Sequence, residues 1–135
     1  MTADREKVAE LHARGFNCAQ VVAYMCCELT GISEETSLAA MGGFGGGLRC
    51  GEVCGAVSGA IYTLGLLYPY TNGGDKEAKS KIMELTKLFT ASFEEEFCAL
   101  PCRELLAAGG KSLCENYMAR AIELVHEIIE GDTKK

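Results

Sequence analysis

Apolar residues recur along this chain at three- and four-residue spacing, and no stretch alternates apolar with polar as a half-buried strand would. Val8 and Leu11 mark a first helix from about Asp4 to Arg14, ended by Gly15. A second opens at Asn17, carries Val21, Val22, Met25 and Leu29 on one stripe, and stops before Gly31. A third begins at Ser33 and ends in the glycines after Met41, and a fourth runs from about Gly51 to Leu67, before Pro69. Asp75 caps a long amphipathic helix whose inward face is Ile82, Leu85, Phe89, Phe93 and Phe97. A short helix follows Pro101, Gly109-Gly110 breaks it, and a last one spans Ser112 to about Glu130. The pattern predicts an all-α protein: one compact domain over residues 1–135, a bundle of about five to seven helices.

Composition narrows the function classes. The chain has 19 acidic against 13 basic residues, a net charge of -6 and no basic block, which argues against nucleic acid as partner. The charged opening MTADREKVAE lacks an apolar signal core, and AIYTLGLLY is too short to cross a bilayer, so a cytoplasmic protein without membrane insertion is expected. In that reducing setting, 8 cysteines point to metal binding or thiol chemistry more than to structural disulfides. There is no Cys-x-x-Cys-His, so covalent haem is not expected. Gly42–Gly47 resembles a phosphate loop, but no strand precedes it and no Gly-Lys-Ser/Thr follows, which leaves nucleotide binding unsupported.

Four cysteines share one setting. Cys18 follows Asn17 in an Asn-Cys-Ala-Gln capping box, Cys54 falls in the first turn of the glycine-rich helix, Cys102 follows Pro101, and Cys114 sits within Ser112-Leu-Cys-Glu115, a second capping box. Each heads the apolar stripe of its helix, so all four should face the interior where free N–H groups favour an anion. A thiolate, or a cluster held by thiolates, is the species such positions stabilise. For any one of them, packing as a small buried hydrophobe is an equal alternative.

Cys54-Gly-Ala-x-x-Gly59 resembles the signature of a family of small redox-active proteins named by its motif, C_GCAxxG_C_C. Gly15-Phe-Asn-Cys18-Ala-Gln, the glycine run Gly42–Gly47, Leu64-Gly-Leu-Leu-Tyr, Cys102-Arg-Glu-Leu-Leu and Cys114 follow in the order of that pattern. The resemblance implies a helical domain and a redox role, with Cys18, Cys54, Cys102 and Cys114 as the characteristic cysteines and an iron–sulfur cluster as a cofactor they could hold. Cys26, Cys27, Cys50 and Cys98 stand outside the pattern.

The remaining candidates are secondary. Cys50 precedes Cys54 by four residues and Cys98 precedes Cys102 by four, so each pair would share a face if the backbone between were helical; breaks at Gly51 and Pro101 weaken this. Gly51, Gly55 and Gly59 form a side-chain-free stripe that admits a helix or a cofactor. Arg49 and Arg103 flank Cys50 and Cys102, where a guanidinium would lower a thiol pKa. His12 and His126 read as ordinary helix-face histidines. Three readings follow: an iron–sulfur electron carrier with Cys18, Cys54, Cys102 and Cys114 as ligands; a thiol–disulfide or sulfur-transfer protein in which Cys54, with Cys50, does the chemistry; and a structural zinc site. An unidentified redox partner protein is implied, and a homodimer is left open.

Overall fold

The computed structural model describes residues 1–134, the side chain of Lys111 aside. Its α-helices are α1 (Arg5–Ala13), α2 (Cys18–Met25), α3 (Cys27–Thr30), α4 (Glu34–Met41), α5 (Gly55–Leu67), α6 (Lys76–Phe97), α7 (Cys102–Gly109) and α8 (Cys114–Thr133), with a 3-10 turn over Gly110–Leu113. The all-α expectation holds among the described residues, with more helices than the five to seven foreseen. The extra element arises at Cys26, whose carbonyl takes N–H bonds from both Leu29 (3.0 Å) and Thr30 (3.3 Å); the expected second helix breaks there into α2 and α3.

Helices α2, α5 and α8 pack on one another at the centre. α4 lies on α2, α1 against α8 and α2, and α6 against α5 and α8. Val21, Val22, Val57, Leu64, Met118, Ile122 and Val125 are fully or nearly fully buried between these elements. The predicted α6 stripe faces inward: Phe89 and Phe93 are buried, and Phe93, Phe97 and Tyr117 form an aromatic cluster with the Phe97–Tyr117 centroids 4.9 Å apart at 79°. On the outer side Arg120 ties the same two helices together, donating to Glu96 (2.9 Å) and Glu127 (2.7 Å).

Two helix starts differ from expectation. α5 begins at Gly55, four residues later than foreseen, because residues 52–54 are extended. They pair antiparallel with residues 100–102: Cys54 N–H donates to Leu100 O (2.8 Å), Cys102 N–H donates to Glu52 O (2.6 Å), and Val53 bridges Pro101. Cys54 is therefore the N-cap of α5 and not a first-turn residue. At α8 the Ser112–Glu115 capping box does not form; Leu113 is the N-cap, and the Ser112 hydroxyl donates to Gly109 O (2.9 Å). The Asn17 box is present: the Asn17 side chain accepts from Gln20 N–H (2.9 Å) and the Gln20 side chain from Asn17 N–H (3.0 Å).

The close approach of α2 and α5 depends on Gly59, where a Cβ would stand 2.6 Å from Ala19 O and 3.0 Å from Val22 Cβ. Gly65 on the same helix has nothing within 4 Å of that position. Gly59→Ala should therefore lower unfolding free energy by about 1–3 kcal/mol through overpacking. Gly65→Ala should leave it unchanged or raise it by about 0.5–1 kcal/mol through helix propensity. Urea denaturation of the two variants beside the parent checks both signs.

Candidate functional site

The Asn17 box fixes where α2 begins and puts Cys18 at its first position. Asn17 also donates through Nδ2 to Gly42 O (3.1 Å), and Gln20 through Nε2 to Leu38 O (3.0 Å), which draws the end of α4 and the glycine segment over this helix start. Beyond it, Gly46, Gly47, Leu48 and Arg49 all have φ of 61–63°. Four successive residues in the left-handed region form a turn that L-residues resist, at a cost of roughly 1–2 kcal/mol for each of Leu48 and Arg49. The turn aims the Gly46 N–H at the Cys18 sulfur.

Cys18 and Cys54 meet at the α2–α5 contact. The Cys54 thiol hydrogen-bonds to the Cys18 sulfur, and a Cβ on Gly55 would run into that sulfur. The bond from Cys54 is the largest cause that pulls the Cys18 pKa far below the usual thiol range. Burial opposes it, and backbone N–H groups of Gly46, Ala19 and Cys18 itself add to it. The same bond pushes Cys54 strongly upward, reinforced by burial and by the Cys18 charge, against the N–H groups of Ala56 and Val57. The contact thus favours ionisation at Cys18 and disfavours it at Cys54.

Cys102 and Cys114 join them. Cys18, Cys54, Cys102 and Cys114 line one enclosed void of about 20 Å³, walled by Leu105, Leu106 and Tyr117. Burial, then the Cys18 charge, raises the Cys102 pKa. The Tyr117 hydroxyl donates to Leu105 O (3.1 Å), so the wall beside the thiols is otherwise apolar. The four helix-start cysteines singled out from sequence are thus brought to one place, from α2, α7, α8 and the N-cap of α5.

A wider groove of about 340 Å³ opens onto Cys18, Cys102 and Cys114, with Phe16, Leu106, Met118, His12 and Arg49 around it. Cys54 does not line it. His12, which sequence reasoning passed over, bonds through Nδ1 to Glu115 Oε2 at 2.8 Å; only its packing against the start of α8 could have disclosed this.

The other candidates lie elsewhere. Cys50 is exposed, lines neither cavity, and its thiol donates to Gly47 O (3.5 Å). Cys98 is exposed at the left-handed C-cap of α6. The non-helical 52–54 and 99–101 segments separate each from its partner at i+4, so neither pair shares a helical face. Arg103 bonds to Glu52 (2.9 Å) and lies over Gly51, away from the four thiols. Cys26 is buried in the core, and burial pushes its thiol up to about 12.

The donor set has the chemistry of a metal or cluster site, but its spacing does not. Among the described residues, no group of three or more His, Cys, Asp or Glu is placed to hold a metal ion. The void between the thiols has room for about one water. No helix among the described residues is long and apolar enough to cross a membrane.

Comparison with known proteins gives one relationship. Residues 16–128 match a family model described as "Putative redox-active protein (C_GCAxxG_C_C)". No curated protein and no solved structure matches the chain.

The Cys18–Cys54 bond makes a direct prediction. Alkylation of Cys18, followed by peptide mass, should rise with pH through a midpoint well below that of a free thiol. In Cys54→Ala the midpoint should move up, because the largest stabilising contact of the thiolate is removed. An unchanged midpoint would show that Cys54 does not hold the charge.

Proposed function

The chain belongs to the C_GCAxxG_C_C family, and from that premise we propose that it is a thiol–disulfide redox protein in which Cys18 attacks and Cys54 resolves. The observation that carries this reading is the division of the pair between two spaces. The Cys18 thiolate faces the open groove, while its hydrogen-bond partner Cys54 lines only the inner void.

The Cys18 thiolate attacks one sulfur of a substrate disulfide R–S–S–R. The substrate S–S bond breaks, a Cys18–S–S–R bond forms, and R–S⁻ leaves. Two of the causes that hold Cys54 protonated, its bond to the Cys18 thiolate and the charge of that thiolate, vanish once Cys18 is in the mixed disulfide. The Cys54 proton passes to R–S⁻, and the N–H groups of Ala56 and Val57 favour the new thiolate. Its sulfur attacks Cys18, expels the second R–S⁻ and closes a Cys18–Cys54 disulfide. One substrate disulfide is reduced to R–SH and R–S⁻ as two protein sulfurs are oxidised, and a reducing thiol partner runs the sequence backwards. The low Cys18 pKa keeps it ionised at neutral pH, which raises the attacking fraction at some cost in intrinsic nucleophilicity.

A second reading keeps the four cysteines as ligands of an iron–sulfur cluster. It is supported by their convergence from four helix starts on one void, since four thiolates are a complete ligand set. The void is too small for a cluster as the sulfurs stand, so the helix starts would have to move apart, and no electron-transfer step is derived through one. A structural zinc ion meets the same objection.

A disulfide reagent should leave a lasting mixed-disulfide adduct on Cys18 in Cys54→Ser, whereas the parent should shed the adduct and lose two titratable thiols reversibly. Intact mass and thiol counts check this, and an equally persistent adduct in the parent would overturn the resolving role. Stoichiometric iron and acid-labile sulfide in anaerobically prepared protein, with a brown colour that bleaches on reduction, would favour the cluster instead.

A further inference from the structure

The groove in front of Cys18 carries a feature that thiol exchange alone does not require. Arg49 is exposed on its rim and, among the described residues, has no hydrogen-bond or ion-pair partner. The other arginines are all engaged: Arg5 with Asn116 (2.9 Å), Arg14 with Glu10 (4.0 Å) and the Phe16 ring, Arg103 with Glu52 (2.9 Å), and Arg120 with Glu96 (2.9 Å). Among the described residues, the groove has one further side chain able to carry positive charge, His12, and that is bonded to Glu115. Among the described residues, no acidic side chain lines the groove.

The backbone holds Arg49 at a cost. It is the last of the four left-handed residues, and its side-chain Cδ lies 3.9 Å from where a Cβ on Gly46 would be, beside the N–H that faces Cys18. Strain of this kind persists where the surroundings over-determine it, and it clusters at binding sites. Phe16, Leu106 and Met118 give the groove an apolar wall beside Asn17, and Cys18, Cys102 and Cys114 line it as well. Its volume of about 340 Å³ is at the small-molecule end of binding sites.

We propose that this groove binds a small disulfide bearing a carboxylate, with the carboxylate on the Arg49 guanidinium and one sulfur of the substrate against Cys18. This rests on the thiol–disulfide reading and names its substrate class. A guanidinium offers a carboxylate two parallel N–H bonds, which positions as well as attracts, and it offsets the repulsion between an anionic substrate and the Cys18 charge. The covalent step is unchanged: the Cys18 sulfur forms a bond to one substrate sulfur, the substrate S–S bond breaks, and the carboxylate-bearing thiolate leaves.

Two disulfides of nearly equal size test it: dithiodiglycolate, which carries two carboxylates, and bis(2-hydroxyethyl) disulfide, which carries none. The rate of mixed-disulfide formation at Cys18, read by peptide mass at a pH where Cys18 is ionised, should be about tenfold higher for dithiodiglycolate in the parent protein. Arg49→Gln should bring the ratio of the two rates down to one or below, chiefly through the dithiodiglycolate rate, and Arg49→Lys should restore part of the preference. A ratio indifferent to Arg49→Gln overturns the substrate class and leaves the dithiol reading standing. If Cys18 reacts with neither probe faster than exposed Cys50, the dithiol reading itself fails. A rate with a disulfide-bonded protein far above that with either probe would overturn the proposal in favour of a protein substrate.

Discussion

The hydrogen bond from the Cys54 thiol to the Cys18 sulfur is the contact on which the site depends, and it exists because two helices approach almost backbone to backbone. Gly59 lets α5 lie against Ala19 and Val22, and Gly55 leaves the Cys18 sulfur room beside the α5 start. The Asn17 capping box decides that α2 begins at Cys18 and no residue earlier, so the free N–H groups of that helix end converge on sulfur. A shift of either helix by one residue would turn the two thiols away from each other, since successive helical side chains diverge by roughly 100°.

The backbone segments around the pair extend the same logic. The two-sided bonding of residues 52–54 with 100–102 fastens the approach to Cys54 onto the approach to Cys102, which is how two cysteines far apart in sequence come to share a void. The left-handed turn from Gly46 to Arg49 bends the glycine segment back over Cys18 and supplies one of its N–H bonds. Glycine is needed at Gly47, where a Cβ would collide with the Glu52 backbone, while at Gly46 it avoids the left-handed strain that Leu48 and Arg49 bear.

Much of this is legible in the sequence for identifiable reasons. The α6 stripe, the Asn17 and Asp75 caps and the helix-start positions of Cys18 and Cys102 follow from local signals: three-four periodicity, a side chain three residues from the N–H it caps, and Pro101 beside Cys102. The N-cap role of Cys54 was out of reach, because residues 52–54 are drawn out of helix by pairing with a segment nearly fifty residues away. The same non-local pairing removes Cys50 from the side of Cys54 where helical spacing would have put it. The Ser112 box failed for the opposite reason: its hydroxyl reached back to Gly109 and completed a 3-10 turn. Which thiol faces outward, and that Arg49 belongs to Cys18 and not only to its neighbour Cys50, depends on the left-handed turn, for which runs of glycine give composition but no direction.

The central claim is that Cys18 and Cys54 form one redox couple, and its most direct measurement is a disulfide peptide map of protein equilibrated across a series of thiol–disulfide redox buffers. The account predicts that a Cys18–Cys54 cross-link appears and disappears in a single two-electron step while Cys26 stays a free thiol throughout. A cross-link joining Cys18 to any other cysteine, or no cross-link at any potential, would contradict it.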